Sequence, residues 1–152
     1  MAEEQLPQPL FVMQQLPTAT VPPEQLYSII GENGIARLVT AFYQQIPGDD
    51  VLAPMYPEAD LRASEERLRD FLVFRFGGPQ RYIEQRGHPR LRMRHAPFAV
   101  DQRARDRWVS CMDEALNQMS FPASAITALR AFFHDVATFL INRDAPPEAT
   151  KP

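Results

Sequence analysis

At 152 residues with 45% hydrophobic content, the chain is long enough for one domain with a real core. Its 16 Lys and Arg against 19 Asp and Glu give a formal net charge of -3, the wrong balance for a protein that grips nucleic acid mainly by its phosphates, so any basic patch must be local. Cys111 is the only cysteine, which excludes an intrachain disulfide and a cysteine-cluster metal site and fits a reducing compartment.

Glu3 and Glu4 stand where a signal peptide would carry positive charge, and Leu10-Phe11-Val12-Met13 is too short for its apolar core. No run approaches the ~18 continuous apolar residues of a membrane span. A cytoplasmic protein is the expectation. Pro7, Pro9, Pro17, Pro22 and Pro23 all precede Glu24 in a segment also rich in glutamine, so residues 1–21 read as an irregular extension. Residues 22–143 form the expected domain, and 144–152, with Pro146, Pro147 and Pro152, a flexible tail.

Within the domain the apolar spacing is helical almost throughout, and no stretch alternates like a half-buried strand; the expected class is all-α. Pro22-Pro23 suits a first helical turn, leading into a short helix that stops near Gly31. From about Asn33 a second helix carries Ile35, Leu38, Val39, Phe42, Tyr43 and Ile46 until Pro47. A brief helical turn is expected around Asp50 to Ala53. Asp60 then suits an N-cap for a helix bearing Leu61, Ser64, Leu68, Phe71 and Leu72, closing at Gly77-Gly78-Pro79. Gly87, Pro89 and Pro97 interrupt the stretch from Gln80 to Phe98 and leave room for one short helix, between Pro89 and Ala96. A long helix follows from Asp101 to about Met119, and a last one from near Pro122 through Leu140.

The segment Arg86 to Phe98, "RGHPRLRMRHAPF", concentrates the candidate chemistry. It holds His88, His95 and the arginines 86, 90, 92 and 94. Neutral imidazole is a common iron ligand, and a haem needs only one protein axial bond, leaving the other face of the iron open to a gas. Arg90, Arg92 and Arg94 could pair with the two haem propionates by charge-assisted hydrogen bonds. The competing reading is a solvated basic turn. His88 precedes a proline and reads as an extended loop residue, and His134 falls beside Arg130 and Thr138 on the helical wheel, toward solvent.

Tyr43, Tyr56 and Trp108 each combine a large apolar body with one polar hydrogen that must be satisfied if buried. They could converge as the polar lining of a cavity for a diatomic ligand, or each could lie in the core or at the surface with its own backbone acceptor. If the helix after Tyr56 covers a cofactor, Ser64 would leave a small, open side and Leu68 an apolar lid; otherwise they are a near-cap serine and a core leucine. There is no phosphate loop, no dinucleotide glycine pattern and no H-E-x-x-H, and no carboxylate pair stands out as an acid and base couple.

Taken together, "FYQQI", "MYPEADLRASEERLRDFLVFRFGGP", "YIEQRGHPRLRMRHAPF" and "RDRWVSCM" strongly resemble the group II truncated haemoglobins, over most of residues 24–142. The resemblance implies a two-over-two helical sandwich around haem b. His95 in "RMRHAPF" matches the proximal iron ligand. Tyr43 matches the distal tyrosine of the family, Tyr56 the aromatic at the start of the connection to the next helix, and Trp108 the group II tryptophan. Ser64 falls at the distal gate position, with Leu68 one turn further on. Phe98, Phe71 and Met112 would line the haem, with Arg92 the propionate partner. Where the family often ends its first helix with paired glycines, this chain reads Ile30-Gly31, so that corner is expected to be built differently; the second pair, Gly77-Gly78, is present.

The function implied is reversible binding of dioxygen, and of carbon monoxide or nitric oxide, with high affinity from a polar distal pocket. The alternative is a haem-dependent redox enzyme, peroxidase-like or oxidising nitric oxide, that needs an external reductase. A cofactor-free helical adaptor is the third class, and it predicts no specific haem uptake. Neither nucleic acid nor a membrane is an expected partner; a homodimer is an open expectation.

Overall fold

The computed structural model describes residues 21–56, 61–95 and 99–143, with every side chain among them except that of Arg86. The proline-rich extension before residue 21, the Asp60 cap, Phe98 and the tail from Asp144 lie outside the described residues. Every regular element among the described residues is helical. A 3-10 turn, Pro23–Gln25, leads into α1 (Leu26–Tyr43), and two further 3-10 turns, Ile46–Gly48 and Ala53–Met55, connect it to α2 (Leu61–Arg75). The short α3 (Arg81–Arg86) and α4 (Leu91–His95) follow, then the long α5 (Gln102–Asn117) and α6 (Ala123–Phe139).

α1 packs on α2 and α5 on α6, and α1 crosses α5, which makes the expected two-over-two sandwich. Leu38 and Phe42 of α1, Leu72 of α2, Met112 of α5 and Leu129 of α6 meet in the core with no exposed surface. Each contributes about 1.5–3 kcal/mol of burial free energy. The 18 residues of α1 are broken at Gly31, whose φ of 73° and ψ of 170° no β-carbon-bearing residue adopts without strain. The expected boundary between two helices is therefore a kink, built by one glycine. Gly77, at φ 97°, ends the next corner: a β-carbon there would strike the Glu24 carbonyl, so the chain approaches itself closely at this point. Tyr27 N–H donates to the Phe76 carbonyl at 2.8 Å across the same junction.

Three boundaries differ from the sequence-based expectation. α1 ends at Tyr43 because residues 46–48 tighten into a 3-10 turn before the chain can continue past Pro47. The turn expected at Asp50–Ala53 regularises where that stretch ends, as Ala53–Met55. α3 was not expected at all. Its six residues are held by Tyr82, 4% exposed, whose ring sits 5.6 Å from Phe71 and 6.1 Å from Phe74. Gly87, at φ 75°, closes it by donating to the Ile83 carbonyl at 2.9 Å. Tertiary burial of one tyrosine stabilises a helix too short to form alone. At α5 the expectation holds, with the Asp101 side chain accepting from Ala104 N–H at 2.8 Å as an N-cap.

Candidate cofactor and ligand site

The two helix pairs enclose a cavity of about 580 Å³, lined mostly by hydrocarbon and aromatic side chains, a size and character usual for cofactor pockets. Tyr43, Tyr56, Ser64, Leu68, Phe71, His95 and Trp108 all lie on its wall. Residues from four separate parts of the chain thus meet at one site.

Tyr43, the last residue of α1, is 7% exposed and places its hydroxyl 3.3 Å from the Ser64 carbonyl of α2. A carbonyl only accepts, so the Tyr43 hydroxyl donates there. The Tyr56 ring stands edge-on to Tyr43, centroids 5.7 Å apart at 84°, and its phenol has the Tyr43 hydroxyl and the Trp108 indole as its hydrogen-bonding neighbours. Indole N–H can only donate. With Tyr43 O–H on the Ser64 carbonyl, the groups can run as a chain in which Trp108 N–H faces the Tyr56 oxygen and Tyr56 O–H the Tyr43 oxygen. Burial pushes both phenols well above their ordinary range, and for Tyr43 the adjacent Tyr56 pushes further in the same direction. Both therefore remain protonated donors at neutral pH. Of the two readings that the sequence leaves open for these aromatics, convergence on one cavity is what the structure shows. Only Tyr43 also has a backbone acceptor among the bonds described.

Ser64 is 8% exposed, and its Oγ accepts from Arg67 Nη2 at 3.0 Å. It is a closed position beneath an arginine. Leu68 and Phe71 give the same helix an apolar face toward the cavity.

His95 is the last residue of α4 and is half-buried. Its Nδ1 lies 2.9 Å from the Leu91 carbonyl one turn back, which assigns the proton to Nδ1 and, in the neutral ring, the lone pair to Nε2. Asn142 Nδ2 donates to the His95 carbonyl at 3.1 Å, while Asn142 Oδ1 accepts from Val100 N–H at 2.9 Å. One side chain thus fastens α4 to the end of α6 and the start of α5.

The other expected site residues fall elsewhere. Arg92 stacks on Phe139, its guanidinium carbon 5.1 Å from the ring centroid, and is not on the cavity wall. The arginines on the wall are Arg67, Arg94 and Arg105. Met112 has no exposed surface and packs in the core behind the wall, and Phe98 is outside the described residues. His134, expected to face solvent, is half-buried with Nε2 3.1 Å from Asp113 Oδ2, because Asp113 on α5 and Arg105 enclose it. Sequence reasoning missed Arg67 and Tyr82 at the cavity. Arg67 carried a usable signal, since three residues after Ser64 on a helix is the adjacent turn.

The model of the bacterial-like globin family matches residues 25–142. The chain belongs to this family. A group 2 truncated hemoglobin of Bacillus subtilis is 38% identical over 93 residues, which are 61% of this chain and 70% of that protein. Among solved structures, a thermostable hemoglobin from the actinobacterium Thermobifida fusca is 43% identical, with a TM-score of 0.75 over 78% of this chain and 97% of that one. A truncated oxygen-avid haemoglobin from Bacillus subtilis is 32% identical, with a TM-score of 0.74 over 78% of this chain and 99% of that one. This globin is accordingly a group II truncated haemoglobin by sequence and fold, and its cofactor is haem b. The cavity fits that group on three counts: an apolar enclosure, an imidazole whose hydrogen bond directs its lone pair to Nε2, and arginines on the wall for two carboxylates. Among the described residues no helix is long and apolar enough to cross a membrane.

Proposed function

We propose that this globin is a cytoplasmic protein that binds dioxygen, and also carbon monoxide or nitric oxide, reversibly and with high affinity. Family membership carries haem-based ligand binding and sets aside the cofactor-free adaptor. The observation that carries the finer reading is the series Trp108, Tyr56, Tyr43 lining the same cavity as His95. When bound, haem b supplies a ferrous iron with one open position for a gas.

His95 Nε2 holds the iron, and the Nδ1 bond to Leu91 keeps the ring in the required tautomer and orientation. Arg94 and Arg105, on the wall where Arg92 is not, pair with the propionates. Phe71 and Leu68 exclude water from the ligand side. A hydroxyl turns about its C–O bond at little cost, so Tyr56 or Tyr43 can redirect its proton from a protein acceptor to a ligand. The Trp108 N–H, fixed in its ring, keeps the Tyr56 oxygen in place while that happens. Preorganised donors of this kind hold a ligand that gains negative charge, which slows release and favours sensing, scavenging or redox chemistry over bulk delivery. The oxygen-avid character named for the Bacillus subtilis relative supports the same reading.

The test is haemin titration of the wild type and His95→Gly, followed by reduction and exposure to carbon monoxide. One-to-one uptake by the wild type, with a ferrous carbonyl spectrum that the variant recovers only with added imidazole, is the expected result. Weak and identical uptake by both would remove His95 from the iron.

A further inference from the structure

We propose that buried Asp49 and half-exposed Arg107 form a clamp that positions Tyr56 and Trp108 on the ligand side of the cavity, and that this clamp sets how long a ligand stays. The inference rests on the reading of Tyr43, Tyr56 and Trp108 as ligand-facing donors.

Among the described residues Asp49 and Ser64 are the buried polar ones. Asp49 Oδ1 accepts from the N–H groups of Val51 and Leu52, each at 2.9 Å. Its Oδ2 takes Arg107 Nε at 3.1 Å and Nη2 at 3.0 Å, and the Cys111 thiol lies 3.9 Å away. Arg107 also reaches Asp50 Oδ1 at 3.1 Å. Burial alone would push the Asp49 carboxyl up, but the two backbone bonds and the Arg107 guanidinium together bring it below the ordinary carboxylate range, so it is charged at neutral pH. An exposed ion pair of this kind would constrain little. A buried carboxylate must keep its donors in place or lose most of what offsets its desolvation, so the pair fixes geometry.

What it fixes is the seam through the ligand site. One arm is the loop after α1: Asp49 holds the turn that sets Leu52 and Met55 on the cavity wall and ends at Tyr56. The other arm is α5, where Arg107 immediately precedes Trp108. The Tyr56–Trp108 hydrogen bond spans the two arms that Asp49 and Arg107 join. Gln45 Nε2 reinforces the seam, donating to the Cys111 carbonyl at 2.8 Å and the Ala41 carbonyl at 3.2 Å. A hydrogen bond weakens steeply with misalignment, so slippage of the loop against α5 reaches Tyr56 first. Asp49 and Arg107 are positioning residues, since neither lies on the cavity wall.

The experiment uses the full haem-loaded chain and compares Asp49→Asn, Arg107→Ala and Arg107→Lys with wild type and Trp108→Phe. Three quantities are read: the C–O stretching frequency of the ferrous carbonyl form, the dioxygen release rate, and the ultraviolet resonance Raman band that reports indole hydrogen bonding. Trp108 is the only tryptophan, so that band is unambiguous. Arg107 is 42% exposed at its side chain, so its replacement leaves the core intact if Asp49→Asn fails to fold. Arg107→Ala should move all three quantities toward Trp108→Phe, with release faster by roughly tenfold, and Arg107→Lys should recover part of the shift. A lowered melting temperature with an unchanged stretch, release rate and indole band would overturn the clamp, leaving Asp49 a stabilising residue only. If Trp108→Phe itself changes neither stretch nor release, the ligand-side reading fails and the clamp's role in release falls with it.

Discussion

Tyr43, Tyr56 and Trp108 stand on or between long helices and are bonded to one another, whereas His95 ends a five-residue helix with no buried residue. The ligand side of the cavity is an extension of the core, with the Phe42 ring 5.0 Å from both Tyr43 and Trp108. The proposed iron side is a short segment joined to the rest by contacts that include Asn142 on the His95 carbonyl, Arg92 on Phe139, Arg94 over Tyr82 and Leu91 against the core. It is entered through Arg90 at a φ of 45°, left-handed backbone that costs a residue with a β-carbon. The difference teaches that the proposed donors are held in place by the core itself, while His95, the proposed ligand to iron, sits on a short helix with no buried residue of its own.

The sharpest way to break that comparison is at His95. His95→Ala should speed haem loss to a scavenging globin by more than about 100-fold, yet shift the melting temperature of the cofactor-free chain little, because the side chain is only half-buried. A large loss of cofactor-free stability would mean that α4 belongs to the core after all. On the other side, Tyr43→Phe should leave haem retention unchanged and accelerate dioxygen release about tenfold, the loss of one hydrogen bond. Stopped-flow displacement by carbon monoxide measures it. A double Tyr43→Phe, Trp108→Phe variant should release less than the product of the single effects, since the donors share one network.

Asn142→Ala separates the two sides further. It removes the bonds to the His95 carbonyl and to Val100 N–H, which costs about 1–2 kcal/mol. Haem loss should quicken several-fold while dioxygen release stays at the wild-type rate; equal effects on both would erase the distinction. The smallest expected effect is in acid. Asp49 has a folded-state pKa below its ordinary 3.8, so its contribution is fully present above that value and is lost as pH falls below it through the folded-state pKa. Asp49→Asn should flatten that part of the acid limb in melts recorded from about pH 5 to 2, within the range where paired carboxylates are lost.

Much of the frame is legible locally. The kink at Gly31, the Asp101 cap and the apolar faces of α1, α5 and α6 follow from helical periodicity and from residues that terminate helices. The motif around His95 marks the cavity, and the structure brings His95, Tyr43, Tyr56, Ser64, Leu68, Phe71 and Trp108 to the lining of one cavity. Arg92 is the instructive contrast. Arg90 precedes the helix, and Arg92 and Arg94, two residues apart on it, face opposite sides, so only one of that pair can turn inward; Phe139, from α6, stacks on Arg92 and leaves Arg94 at the wall. Spacing within the segment could not choose, because the choice depends on an aromatic ring 47 residues away in sequence.

By itself, then, the sequence determined the helical class, most helix ends and the identity of the family, all of which rest on signals within a turn or two of chain. Only the tertiary structure decided that Tyr82 stabilises a helix between Pro79 and Gly87, that Arg94 and Arg67 face the cavity, and that Asp49 meets Arg107, 58 positions on. Those are contacts between elements. Their register is set by how α1, α2, α5 and α6 pack, and a side chain that is one choice among several along the chain becomes unique when its partners are buried beside it.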